Sequence, residues 1–134
     1  MTQVHEELGI LALLREYNRA IDAGEGEAWA ATFVPEGIFH HPARDWVGAE
    51  ELRKFCVLRA AGFEKAPLVD MRHWNDAVAI RISGDEATVT CDLAVIGNCR
   101  ETGKPKLAAR GAYTDRLVRR DGAWRFASRK LVLR

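Results

Sequence analysis

Few side chains in this 134-residue sequence suit proton transfer in an apolar setting, and their placement is informative. Asp22 falls in the last turn of a helical segment. There its carboxylate opposes the negative end of the helix dipole, at a cost of about 0.3–1 kcal/mol. His73 opens a strand between Arg72 and Trp74. A carboxylate that accepts from one imidazole nitrogen makes the other nitrogen a better base. Asp22 is the candidate partner for His73, because a first helix packed across the mouth of a sheet brings the two together. Tyr17 and Tyr113 are inward phenols able to donate to a developing negative charge. Plainer readings stand beside these: a solvated helix-end aspartate, an exposed strand-entrance histidine, and core tyrosines with satisfied hydroxyls.

Other chemistries find little support. His40 and His41 are adjacent on a short strand, so alternation sends only one inward, and Phe39 puts His41 on its own face. Adjacent strand histidines do not chelate from one strand, and no Cys/His/Asp ligand spacing accompanies them. His41, His73 and Asp22 are the residues able to converge on a metal, but the expectation is none. Neither a GxSxG nucleophile, a GxGxxG loop nor a P-loop lysine is present, so no cofactor is expected. Cys91 reads as a small hydrophobe.

The elements that must position these groups follow from periodicity. Residues 4–22 carry Ile10, Leu14, Tyr17 and Ile21 on one helical stripe with Leu11 beside it, and Ala23-Gly24 stops it. A second helix is predicted over about 26–33, presenting Trp29 and Phe33. Pro35-Glu36-Gly37 then turns the chain into a short strand, Ile38–His41. A third helix starts at Gly48 with Leu52, Phe55 and Cys56 inward, and residues 63–69 form a loop. Long strands follow at about 71–83, 86–98, 106–120 and 123–134, the last two joined by Asp121-Gly122, a strong hairpin signal. Ala87, Val89, Cys91, Leu93 and Val95 share one face. Leu107, Ala109, Gly111, Tyr113 and Leu117 share another, with Ala109 and Gly111 leaving room for a cavity. Trp124 and Phe126 begin the last inward face. Helices first and antiparallel strands after make a segregated α+β domain spanning 1–134.

Composition is that of a globular protein, with 48% hydrophobic and 29% charged residues. No apolar run reaches the length of a membrane span. No secretory leader is evident, and three cysteines without CxxC spacing do not suggest a disulfide framework. The expectation is a soluble cytoplasmic protein without membrane partners. Eleven Lys/Arg against three Asp/Glu lie from Arg100 onward. With no recognition motif or basic helix, Arg110, Arg116, Arg119, Arg120, Arg125 and Arg129 read as the outer decoration of a twisted sheet, and no nucleic-acid partner is expected.

The order helix, helix, short strand, helix and long strands, with Asp121-Gly122-Ala123-Trp124-Arg125-Phe126 near the end, resembles the SnoaL-like family, the scytalone-dehydratase branch of the nuclear-transport-factor-like cone fold. Leu14-Arg15-Glu16-Tyr17 through Ile21-Asp22, Phe33 through Gly37, Arg72-His73-Trp74, and Tyr113 through Trp124 carry the likeness. The resemblance implies a cone-shaped curved antiparallel or mixed sheet whose pocket about three helices close. Asp22 and His73 fall where scytalone dehydratase has its aspartate and one catalytic histidine, and His41 where it has a pocket tyrosine. Ile21, Gly111 and Tyr113 depart from its tyrosine, serine and asparagine. Tyr17 with Asp22 five residues on, together with His73, is similar to the set in bile-acid dehydratases of the same superfamily.

The implied activity is a cofactor-independent lyase or isomerase acting on a small hydrophobic oxygenated ring compound. Catalytic roles fall to His73, Asp22 and Tyr17, and His41, Tyr113, Trp29, Phe39, Phe55, Trp74, Cys91 and Leu93 line the pocket. The same fold also serves as a non-catalytic carrier or assembly subunit, which is the alternative. Family habit further implies a homo-oligomer, dimer or trimer, formed through the outer sheet face bearing Thr88, Thr90 and Thr114.

Overall fold

In a computed structural model, residues 2–63 and 65–134 are described. Helix α1 (Gln3–Ala23) begins where the Thr2 hydroxyl accepts from the His5 backbone N–H at 3.1 Å. It buries Ile10, Leu13, Leu14, Tyr17, Ala20 and Ile21, so Leu13, not the exposed Leu11, joins the stripe. Gly24 ends it in the left-handed region, φ 70°, and a Cβ there would come within 2.9 Å of the Ala60 Cβ. That approach fixes the end of α1, and with it Asp22, against α3 (Gly48–Gly62).

Helix α2 (Gly26–Ala30) is shorter than predicted. Phe33 stands instead on β1 (Phe33–His40), and Pro35-Glu36-Gly37 is an irregularity within that strand rather than a turn before it. Strand β2 (Asp45–Val47), not anticipated, pairs with β1. Then come β3 (Leu68–Ser83), β4 (Glu86–Cys99), β5 (Pro105–Arg120) and β6 (Ala123–Leu133). Glu64, in the predicted 63–69 loop, lies outside the described residues. The sheet runs β2-β1-β6-β5-β4-β3, with β1 and β6 parallel and every other pair antiparallel. This is the expected α+β class with a mixed sheet. Asp121 and Gly122 both take positive φ, as a two-residue hairpin turn requires.

Bulges curve the sheet and reset which residues face inward. On β5 the pairing steps from Val95–Ala109 to Ile96–Leu107, so Ala108 is extra. Leu107 therefore points outward at 51% exposure, correcting its predicted inward place. On β6 the pairing steps from Leu117–Phe126 to Arg116–Ser128, making Ala127 the extra residue. Trp124 and Phe126 face in as expected, but beyond Ala127 the parity flips and Arg129 and Leu131 face in too. Arg129 is thus no outer decoration; it is 0% exposed. Gly111 also has a different reason from the one predicted. A Cβ there would collide with the Val132 carbonyl oxygen, so it admits the backbone of β6 rather than opening the cavity.

Candidate active site

The curved sheet and the helices enclose a hollow of about 210 Å³. Its apolar wall includes Phe39 and Phe55 from β1 and α3, Leu93 and Val95 from β4, and Leu131 from β6. Into this wall project His73 from β3, His41 just past β1, Tyr17 from α1 and Tyr113 from β5.

His73 and Asp22 meet. The imidazole Nδ1 lies 2.6 Å from Asp22 Oδ1, and the His73 backbone N–H donates to the same carboxylate at 3.0 Å to Oδ2 and 3.2 Å to Oδ1. One carboxylate thus grips ring and main chain of a single residue, fixing the rotamer. Accepting from Nδ1–H, it leaves Nε2 with its lone pair free. The His73 side chain is 6% exposed and that of Asp22 18%. Burial lowers the His73 pKa below its ordinary 6.5, outweighing the Asp22 hydrogen bond that raises it. The ring is therefore neutral at pH 7, as a base must be.

His41 has the opposite tautomer. Its Nδ1 accepts from the Ala43 backbone N–H at 3.0 Å, which places the proton of the neutral ring on Nε2. Burial lowers its pKa as well. Phe39 and Phe55 hold the ring at centroid distances of 5.9 and 5.5 Å. One cavity therefore carries one imidazole set to accept and another set to donate.

The two phenols are 3.5 Å apart, oxygen to oxygen, and both are buried. Burial raises both pKa values, so both remain protonated donors at neutral pH. Beneath them lies Arg129, its guanidinium carbon 3.4 Å from the Tyr113 ring centroid and 4.3 Å from that of Tyr17. Its charge works against the burial effect on both hydroxyls and makes them stronger donors. Arg129 Nε lies 3.0 Å from Asp115 Oδ1, an ion contact without hydrogen-bond geometry, while Nη2 donates to Cys91 Sγ at 3.6 Å. Arg129 reads as outer decoration because no signal in the sequence marks the bulge that turns it inward, whereas Asp115 was missed although it shares the inward parity of Tyr113 and Leu117 on β5.

Three predicted lining residues lie elsewhere. Trp74 is 59% exposed, since alternation along β3 forbids it from sharing the face of His73. Trp29 is fully buried behind the cavity wall, ringed by Tyr17, Phe33, Phe39 and Phe55. Cys91 lies under Arg129, its thiol pushed up to about 11 by burial. Conversely, Arg59 on α3 lines the cavity unpredicted, although extending the Leu52, Phe55, Cys56 stripe one turn reaches it.

Among the described residues no three of His, Cys, Asp or Glu converge in a metal-binding cluster, and no helix is long and apolar enough to cross a membrane.

Residues 2–130 match the model of the SnoaL-like domain. The chain belongs to the SnoaL-like family. Among curated proteins none matches it. A solved protein of unknown function from Mycobacterium tuberculosis is 30% identical, with a TM-score of 0.88 over 98% of this chain and 73% of its own. A Nostoc punctiforme protein of unknown function with a cystatin-like fold is 24% identical, TM-score 0.84, over 100% of this chain and 94% of its own. A candidate scytalone dehydratase from Novosphingobium aromaticivorans is 23% identical, TM-score 0.80, over 98% and 85%. At such identities the latter two show the fold alone. For this SnoaL-like chain, the site's chemistry has to come from its own residues.

Proposed function

We propose that this protein is a lyase or isomerase that carries out proton transfer on a small, largely apolar ring compound bearing a carbonyl. The observation that carries the reading is the 2.6 Å contact between His73 Nδ1 and Asp22, with the imidazole on the wall of an apolar cavity. His73 Nε2 removes a proton from the carbon next to the carbonyl, and the C–H pair becomes the enolate π bond. The enolate oxygen takes hydrogen bonds from His41 Nε2–H and from the Tyr17 or Tyr113 hydroxyl. The imidazolium, steadied by Asp22, then returns its proton. Delivered to a different carbon it isomerises the compound; delivered to a β-hydroxyl it releases water. Protein side chains balance the step throughout. Such general acid–base work contributes about 10²–10⁴ in rate, and oxyanion donors add about 10²–10³.

The step has a readout that requires no natural substrate. In D₂O, a bicyclic ketone such as 2-tetralone should take up deuterium next to its carbonyl faster with the protein than in buffer, followed by proton NMR. Saturable binding of the ketone with no acceleration of exchange would leave a carrier and refute the enzyme.

A further inference from the structure

Among the described residues Arg59 is the one fixed charge on the cavity wall, and no carboxylate of theirs lines this hollow. Among the described residues the half-buried guanidinium enters no ion pair or hydrogen bond, and it lies over the Phe63 ring, its carbon 4.7 Å from the centroid. Asp22, the carboxylate that acts on it most strongly, already accepts from His73 ring and backbone.

Arg59 also stands at a junction. A second, outer hollow of about 540 Å³ lies past the end of α1, and the two share Ile21, Arg59, Phe63 and Met71. The guanidinium therefore faces any molecule passing from the wider hollow into the narrower one. Its charge is felt at the imidazole, whose pKa it depresses. A half-buried cation at the mouth of an apolar cavity, whose strongest carboxylate neighbour Asp22 is already engaged by His73, is completed by an anion on the ligand. The planar fork of donors fits a carboxylate, which takes two parallel N–H bonds.

The geometry points to a ring compound bearing a carboxylate as the ligand, its acid group held by Arg59 at the junction and its ring in the cavity beside His73. This rests on the proton-transfer reading only for what happens to the ring; the anchoring is a matter of binding. Arg59 is then a specificity residue.

The test is calorimetric titration with two probes alike in size and shape, 2-naphthoate and its neutral amide, 2-naphthamide. Wild-type protein should bind the carboxylate at least about tenfold more tightly. Arg59→Gln, which keeps a good helix former in α3, should remove that preference by weakening naphthoate and leaving the amide unchanged. Arg59→Lys should restore part of it, and His73→Ala should keep it. Equal affinity for the two probes, uptake of neither, or a preference that survives Arg59→Gln overturns the assignment. Deuterium exchange into the ketone reports on the base alone, so either reading can fail while the other stands.

Discussion

His73→Ala is expected to lower protein-catalysed deuterium exchange into a ring ketone by about 10²–10⁴-fold, the whole contribution of a positioned base. The variant should fold, because the imidazole sits on a cavity wall and its loss enlarges an existing space. Circular dichroism and a thermal melt check this. Asp22→Asn should be nearly as damaging for a different reason. An asparagine amide can turn its N–H₂ toward Nδ1, which then accepts and moves the ring proton to Nε2. The base becomes a donor while the cavity keeps its shape. Probe affinity should therefore survive in Asp22→Asn while exchange collapses. If both variants exchange at the wild-type rate, His73 is not the base.

The largest stability effect is expected at Arg129. Arg129→Met should destabilise the protein by about 3–5 kcal/mol in urea unfolding, because it leaves Asp115 buried without its counter-ion. The guanidinium also fills the space between the Tyr17, Tyr113 and Phe126 rings, within 4.7 Å of each centroid. Replacing both members, Arg129→Met with Asp115→Leu, should recover most of the loss, since the pair's desolvation then disappears as well. A single Arg129→Met as stable as wild type would show the pair to be dispensable. Asp115 also sets a pH trend. Burial outweighs Arg129 and raises its pKa to about 6. The folded protein then holds that proton more tightly than the unfolded chain, and this group's contribution falls as pH rises from about 4 to about 6.

Where side chains alternate without interruption, the structure was legible from the residues. The β4 face of Ala87, Val89, Cys91, Leu93 and Val95 is buried as read, and the Asp121-Gly122 hairpin closes as read. Asp22 could be named from the sequence as the candidate partner of His73, because a first helix packs across the sheet mouth, but their contact could not, since it depends on the packing of residues 51 apart. Legibility ended at the bulges. One extra residue reverses every later side chain on a strand. Ala108 turned Leu107 out and Ala127 turned Arg129 in, and no residue type at either place announces it. The tautomer of His41 was equally hidden, as it depends on one backbone N–H, that of Ala43. Several basic residues of the C-terminal third turn out to serve internal pairing: Arg119 binds Glu6 and Asp85, and Arg120 binds Glu36.

Nitrogen-15 NMR of the His73 imidazole reads the protonation state on which base catalysis depends. At pH 7 the ring should be neutral with its proton on Nδ1, and on acidification it should titrate below 6.5, because burial lowers its pKa. Asp22→Asn should move the proton to Nε2. A ring found protonated at pH 7, or carrying its neutral proton on Nε2 in the wild-type protein, would contradict a base held by Asp22.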